Sequence, residues 1–164
     1  MSQSAHVGDV FLIPIDASRS GIGQIAGDWK GELYIVVYEA AFNGEQVDPD
    51  KVLTEKPLLA ALSMDAKIRN GDWRVIGNLT TNLASIPQPV FKIWEGGKEY
   101  LESRDRKMTR PASRTEAEAS KLRTVVSPIR LENALKAHHG VGEWTAKFDE
   151  LRYEYAWQSS KFNR

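Results

Sequence analysis

Residues 10–15 read VFLIPI, an unbroken apolar run that is rich in β-branched side chains. Because the run follows the turn-like pair Gly8-Asp9, it predicts a first β-strand. Outward from it, residues 21–26 (GIGQIA) predict a second strand bent by glycines, and residues 32–38 (ELYIVVY) predict a third. Three bent strands joined by short loops favour a meander that coils toward a small barrel.

The middle of the chain predicts shorter elements. Residues 57–64 (PLLAALSM) are open between strand and helix, because a short apolar run has no diagnostic period. Asp65 is placed to cap a short helix that ends near Gly71. Alternating apolar residues on both sides of Gly96-Gly97 predict a β-hairpin. Residues 104–114 are polar and basic, which predicts an exposed loop.

The last third of the chain predicts helices. Ser127-Pro128 is typical of a helix start, and Gly140 of a helix end. A second helix is expected from about Glu143, with apolar residues at spacings of four, three and four: Trp144, Phe148, Leu151 and Tyr155. Together the elements predict an α+β fold, with an N-terminal bent, mostly antiparallel sheet tending to a small barrel and C-terminal helices packed against it. We expect one domain over residues 1–164, mainly β over about 7–103 and mainly helical over about 115–157, with residues 1–6 flexible.

Composition narrows the class of protein. The chain has 164 residues, 22 basic and 22 acidic side chains, and no cysteine. The absence of cysteine excludes disulfides, zinc–thiolate sites and cysteine nucleophiles. No signal peptide is visible at the start of the chain, and the apolar runs are too short to cross a bilayer. We therefore expect a cytoplasmic protein with no membrane partner.

The histidines are the first candidates for chemistry. His138 and His139 are adjacent in a predicted helix, so their side chains point about 100° apart and are poorly placed to share a metal. Histidine is also favoured near a helix C-terminus by the helix dipole. Neither a Gly-x-Ser-x-Gly elbow nor a His-Glu-x-x-His motif is present. We expect no catalytic residue, no metal and no cofactor.

A nucleic-acid-binding module is the alternative that the sequence leaves open. Gly140-Val141-Gly142 resembles the turn of helix-hairpin-helix proteins, in which backbone amides approach a phosphate. Residues 104–114 carry five basic side chains against one acidic side chain, Asp105. The balanced net charge and a simple corner between two helices favour the structural interpretation of both features. Binding of nucleic acid is therefore not expected.

One exposed aromatic residue and a group of acidic residues suggest a protein partner. Trp29 lies in a polar turn, and exposed aromatic side chains are enriched at binding hot spots. Acidic residues cluster on or beside one loop, where they would steer the approach of a basic partner. The predicted partner-binding residues are Trp29, Glu39, Glu45, Asp48, Asp50 and Glu55.

Four segments in order resemble the immunity protein 26 family, which accompanies bacterial polymorphic toxins. They are residues 8–14 (GDVFLIP), 21–25 (GIGQI), 71–78 (GDWRVIGN) and 89–91 (PVF). The resemblance runs from about residue 7 to residue 155. The motif positions are expected to determine the fold, and they do not identify the toxin-binding surface: Gly8, Asp9, Phe11, Gly21, Gly23, Trp73 and Gly77.

The resemblance implies a non-catalytic antitoxin that works in the cytoplasm of the bacterium that makes the toxin. Such a protein binds its cognate toxin domain, in a polymorphic or contact-dependent inhibition system, and covers the active site of the toxin. An acidic binding surface would suit a nuclease toxin, since the substrate site of a nuclease is basic.

Overall fold

The computed structural model describes residues 3–44 and 46–163. Most strands form one antiparallel sheet with the order β5-β3-β2-β1-β6, and β4 pairs with the start of β2. Its strands are β1 (Asp9–Pro14), β2 (Arg19–Trp29), β3 (Glu32–Tyr38), β4 (Phe42–Asn43), β5 (Pro57–Ser63) and β6 (Val75–Asn78). The segment that the sequence left open, residues 57–64, is thus a strand.

A second, three-stranded antiparallel sheet follows in the chain. Its strands are β7 (Val90–Glu95), β8 (Lys98–Ser103) and β9 (Thr109–Pro111). Gly96 and Gly97 form the tight turn between β7 and β8, with φ angles of 58° and 78°. These left-handed angles are costly for other residues, which explains why the hairpin is readable in the sequence.

The helices are short and lie mostly in the second half of the chain. They are α1 (Ala66–Arg69), α2 (Arg114–Ala119), α3 (Pro128–His138) and α4 (Tyr153–Ser160). Three 3-10 helices are also described: Pro49–Leu53, Leu83–Ser85 and Ala146–Leu151. Leu131, Ala134 and Leu135 of α3 are fully buried, so this helix packs against the sheet as predicted.

The larger sheet is covered on both faces. One cluster of buried side chains joins alternate residues of β1 and β3, such as Phe11 and Ile35, to α3. The intervening residues, such as Tyr34 and Val36, belong to a second cluster with Ile86. A strand that is buried on both faces reads as a continuous apolar run, and this explains residues 10–15 and 32–38.

The prediction of a sheet tending to a small barrel is wrong, because β5 and β6 are the two ends of an open sheet. The outer edge of β5 is met by isolated bridges, Leu62 to Val125 and Leu59 to Arg152. A closed barrel buries one face of its strands inside, whereas this sheet buries both faces under other elements. The α+β class itself is confirmed.

Two local predictions also differ from the structure. A continuous helix from Glu143 to Tyr155 is not formed, because Arg152 is extended (φ −62°, ψ 135°) and separates the 3-10 helix Ala146–Leu151 from α4. The basic segment 104–114 is not simply a loop, since it contains β9 and ends at the first residue of α2.

Close to the chain start, Gln3 donates a side-chain hydrogen bond to the carbonyl of Ile68 (3.0 Å).

Candidate partner-binding surfaces

Trp29 lies at the end of β2, where it pairs with Glu32 across the β2–β3 turn. The side chain is half-buried. Its ring is covered by cations of this chain: the guanidinium carbon of Arg106 lies 4.2 Å from the centroid, that of Arg123 5.7 Å, and Nζ of Lys30 5.2 Å. Trp29 therefore makes cation–π contacts with basic side chains of the protein itself.

The predicted acidic residues lie elsewhere in the fold. Glu39 directly follows the C-terminal end of β3, whereas Trp29 pairs with Glu32 at the N-terminal end. Glu39 and Trp29 are therefore about 20 Å apart along the strand. Its amide donates to the carbonyl of Lys56 (2.8 Å), which places Glu39 beside the end of the acidic loop. The structure thus brings Glu39 to this loop and separates it from Trp29. Whether these residues contact a partner stays a prediction.

Within the acidic loop, the carboxylates differ in what they do. Asp48 caps the 3-10 helix Pro49–Leu53, and its side chain accepts a hydrogen bond from the amide of Asp50 (2.9 Å). Asp48 and Asp50 are exposed, and Glu55 is half-buried. Glu45 lies outside the described residues. Asp48 therefore has a structural task in addition to any role in binding.

The two histidines are held by Glu39. Nε2 of His138 lies 3.3 Å from the Glu39 carboxylate, and Nε2 of His139 lies 2.7 Å from the Glu39 carbonyl oxygen. The two rings meet edge to face with centroids 5.1 Å apart. The pair thus ties the C-terminus of α3 to the end of β3. Across residues 3–44 and 46–163, no group of three or more histidines or carboxylates is arranged to hold a metal ion.

The basic segment is largely neutralised by carboxylates. Arg106 lies 3.5 Å from Glu32, and Lys107 lies 4.0 Å from Asp105. Arg110 forms a two-bond pair with Glu116, and Arg114 pairs with Glu118 at 3.1 Å. Arg104 instead donates to Gln88 and rests against Gly27, where a Cβ atom would lie 2.5 Å from the guanidinium carbon. The segment offers few free cations to a phosphate.

In the Gly140-Val141-Gly142 turn, both glycines have left-handed φ angles, 85° and 84°. A helix does not follow directly, because the next helical residue is Ala146. Trp144 donates from its indole N–H to Asp149 (2.9 Å), and the ring of Phe148 packs edge to face on Trp144. The turn therefore closes a corner and lacks the second helix of a helix-hairpin-helix motif.

The two aromatic family-motif residues, Phe11 and Trp73, lie in the core beneath α3. The rings of Phe11 and Trp73 stack with centroids 5.1 Å apart, and both side chains are fully buried. The Trp73 indole donates to the buried carboxylate of Glu132 on α3 (2.9 Å). Lys136 also pairs with Glu132 (3.2 Å), so the carboxylate is satisfied. Trp73 thereby links the segment before β6 to α3.

The motif glycines provide space for large neighbours. A Cβ atom at Gly23 would lie 2.6 Å from the Phe11 ring, at Gly21 2.6 Å from Leu135, and at Gly77 2.6 Å from Pro49. Gly8 has a φ angle of 93° in the turn before β1. Asp9 closes this turn by accepting hydrogen bonds from the His6 amide (2.8 Å) and from Asn78 (3.0 Å).

A groove of about 380 Å³ lies between the two sheets and α4. No feature of the sequence predicted it. Its walls come from β5, from β7, from residues 118–126 and from residues 150–159. Tyr34 and Ser120 line it, and their hydroxyl oxygens are buried without a hydrogen-bond partner in the described part of the chain. No sequence signal could have located the groove, because its walls are far apart in the chain.

The lining of the groove includes apolar side chains and charges of both signs, with Glu118 and Glu150 as well as Lys92, Lys121 and Arg152. Leu122 lines it with an exposed side chain, and the ammonium of Lys121 lies 4.3 Å from the centroid of the Tyr155 ring. Arg123 connects this region to Trp29, because its guanidinium also lies 5.4 Å from the Phe91 ring in the groove wall. Trp29 is therefore a neighbour of the groove and not of the acidic loop.

Comparisons with known proteins assign the family. No helix among the described residues is long and apolar enough to cross a membrane. No curated protein and no solved structure matches the chain. The family model described as immunity protein 26 matches residues 6–100, which is more than half of the chain and includes every motif position discussed above. The chain belongs to the immunity protein 26 family.

Proposed function

We propose that this protein is an antitoxin that binds a cognate bacterial toxin domain and neutralises it by covering its active site. The observation that carries the proposal is the family match over residues 6–100. The protein acts in the cytoplasm, as part of a polymorphic or contact-dependent toxin system, and it needs no catalysis of its own. Inhibition by occlusion requires only a rigid surface, a few anchoring side chains and complementary charge.

The toxin in this proposal is a nuclease. Its substrate site must be basic to hold phosphate, and an acidic surface on the antitoxin would compete for the same charges. Glu39, Asp48, Asp50 and Glu55 supply such a surface around the 3-10 helix Pro49–Leu53. The exposed side chain of Leu53, the last residue of this 3-10 helix, adds an apolar contact.

Recovery of the partner tests the proposal first. The tagged protein is purified from its native cells, and mass spectrometry identifies what is bound at a one-to-one ratio. We expect a single large secreted-type protein that is held through its C-terminal domain. Recovery of nucleic acid without a stoichiometric protein partner would contradict the proposal.

Neutralisation is tested in a second host. The recovered toxin domain is expressed from an inducible promoter in a bacterium that lacks this system. Cells should lose viability on induction and regain it when this protein is co-expressed. If the toxin is a nuclease, purified toxin should degrade nucleic acid, and one equivalent of this protein should stop the reaction.

A further inference from the structure

Trp94 is the most exposed tryptophan of the chain, with 60% of its surface open to solvent. In the described part of the chain, no cation and no second ring lies against the Trp94 ring. The other four tryptophans each have a ring or a cation of this chain against their own ring: Trp29, Trp73, Trp144 and Trp157. An exposed and uncovered tryptophan is a typical anchor for a partner protein.

The ring of Trp29 shows what this fold places on a tryptophan. Trp29 and Glu32 are cross-strand partners on β2 and β3. The guanidinium carbon of Arg106 lies 4.2 Å from the ring centroid, and its Nη2 atom lies 3.5 Å from the Glu32 carboxylate. One guanidinium therefore contacts the ring and the carboxylate together, which its planar, charged shape allows.

Trp144 has the same combination of groups in a different part of the fold. The guanidinium carbon of Arg152 lies 4.3 Å from the ring centroid of Trp144, and its Nε atom lies 3.4 Å from the Asp149 carboxylate. The same carboxylate accepts a hydrogen bond from the Trp144 indole (2.9 Å). Two separate sites in the chain thus combine a tryptophan, a carboxylate and an arginine.

Trp94 has the tryptophan and the carboxylate of this combination. It is the cross-strand partner of Glu99 on β7 and β8, just as Trp29 is the partner of Glu32. Cross-strand partners share one face of a sheet, so the indole and the carboxylate lie side by side. The Glu99 side chain is 30% exposed and that of Glu32 only 21%, although Glu32 pairs with two arginines. No arginine of the described residues lies within 4.0 Å of Glu99.

The lysines near Trp94 do not take the place of an arginine. Lys92 lies 3.3 Å from the Glu99 carboxylate, but its ammonium also donates to a carbonyl of α2 and does not lie over the Trp94 ring. Lys98 pairs in register with Glu95, and strand alternation places both on the other face of the hairpin. The surface at Trp94 and Glu99 therefore fits a cation from outside the chain.

We infer that Trp94 and Glu99 bind an arginine of the toxin. The guanidinium lies over the indole ring and pairs with the carboxylate, in the arrangement that Arg106 has with Trp29 and Glu32. Arginine fits better than lysine, because its planar group stacks on a ring while its N–H groups bond a carboxylate. A basic substrate site in the toxin would supply such a side chain. This inference rests on the proposed function, since it requires that a toxin binds.

Substitutions on both partners test the contact. Calorimetry measures the affinity of the recovered toxin domain for the wild type and for Trp94→Leu, which should bind at least about tenfold more weakly. Trp157→Leu is the control, because Trp157 is 48% exposed and its ring already carries Lys161, and it should change affinity by less than about threefold. Unchanged affinity of Trp94→Leu would overturn the inference.

A double-mutant cycle identifies the cation. Each surface arginine of the toxin is changed to alanine and measured against Trp94→Leu and against Glu99→Gln. One arginine should be coupled to both positions by at least about threefold in affinity. Coupling of Trp94 to no arginine of the toxin would overturn the inference, because the ring would then bind another kind of side chain.

A small guanidinium tests the site without the toxin. The indole N–H signals of the tryptophans are followed by NMR while ethylguanidinium chloride is added, at concentrations that leave the fold intact, with sodium chloride as the control. The Trp94 signal should shift more than those of Trp29 and Trp144, whose rings already carry an arginine. Glu99→Gln should reduce this shift. A Trp94 shift no larger than the other two would overturn the inference.

Failure of the inference and failure of the proposed function are distinguishable. A wild type that binds no toxin rejects the proposed function. A wild type that binds the toxin no better than Trp94→Leu does overturns the inference alone. Self-association of the wild type that is lost in Trp94→Leu, measured by analytical ultracentrifugation, would also overturn it, because the ring would then contact a second copy of this chain.

Discussion

The guanidinium of Arg123 lies 2.9 Å from the carboxylate of Glu102, and both side chains are almost fully buried, at 6% and 7% exposed. Arg123 also donates to the carbonyl oxygens of Ser103 and Arg104 and pairs with Glu32 at 3.2 Å. Glu32 belongs to the larger sheet and Glu102 to the smaller one. The arginine therefore clamps the two sheets together beside the groove.

Loss of Arg123 should destabilise the protein strongly. Arg123→Met preserves much of the side-chain length but removes the charge. The Glu102 carboxylate then has only the more exposed Arg106 as a partner. We expect the unfolding free energy to fall by about 3–5 kcal/mol. Urea unfolding monitored by tryptophan fluorescence measures it. Arg114→Met is the control, because its pair with Glu118 is 93% and 68% exposed and should contribute no more than about 1 kcal/mol. Equal costs for the two variants would contradict the clamp.

The indole N–H of Trp73 makes a second strong contact to a buried charge. Trp73→Phe removes the hydrogen bond to Glu132 and leaves a small cavity against Phe11, so we expect a loss of about 2–4 kcal/mol in unfolding free energy. Trp94→Phe is the matched control, because Trp94 is exposed at the end of β7 and should change stability by less than about 0.5 kcal/mol. A small effect at Trp73 would show that Lys136 alone satisfies Glu132.

The sequence predicted the parts of the fold that depend on neighbouring residues. Residues 10–15 and 32–38 are readable as strands because both of their faces are buried, and Gly96-Gly97 is readable because its φ angles demand glycine. The break at Arg152 was missed because Trp144, Phe148 and Leu151 have helical spacing. In the structure Trp144 precedes an extended residue, Thr145, and only Phe148 and Leu151 lie in the 3-10 helix Ala146–Leu151. Spacing alone does not distinguish the two kinds of helix.

What the sequence could not provide depends on distant contacts. Closure of a barrel was predicted wrongly because it is decided by what covers each face of the sheet, here α3 on one face and the segments that carry Val52, Ile86 and Tyr153 on the other. Trp29 looked free in its turn, yet its ring is covered by Arg106 and Arg123, more than seventy residues away. The groove could not be predicted from the sequence for the same reason, because the segments that line it are far apart in the chain.

Gly23 should resist substitution because of its contact with Phe11. In Gly23→Ala the new Cβ atom would meet the Phe11 ring at 2.6 Å, in a core where neither can move freely, and we expect a cost of about 1–3 kcal/mol. Phe11→Leu in the same chain removes the clash, so the two costs should not add in a double-mutant cycle. Additive costs from urea unfolding would show that Gly23 matters for another reason.

Glu116 should make the fold sensitive to acid. The hydrogen bonds from Arg110 and from the Ser113 amide lower the pKa of Glu116 from its ordinary value of 4.5 to about 2. Because this pKa is lower in the folded state, the ionised carboxylate stabilises the fold above about pH 4.5, and the contribution is lost as the pH falls toward 2. Glu116→Gln should cost about 1.5–3 kcal/mol at pH 7 and progressively less below pH 4.5. Unfolding in urea at several pH values measures both. Arg110→Met should reduce the pH dependence in the same way, and a cost of Glu116→Gln that is independent of pH would contradict this origin.

Nucleic acid should not bind the free protein, even at low salt. Affinity for phosphate comes from unpaired cations that displace counterions, and Arg106, Lys107, Arg110 and Arg114 each have a carboxylate within 4.0 Å. Fluorescence anisotropy with labelled DNA and RNA at about 50 mM salt measures this. The double variant Asp105→Asn/Glu118→Gln frees Lys107 and Arg114, and it should gain weak binding that disappears at physiological salt. Wild-type binding at low salt that is lost in Gly142→Leu would instead assign the Gly140-Val141-Gly142 turn to phosphate recognition. That outcome would make nucleic-acid binding the first hypothesis for this fold.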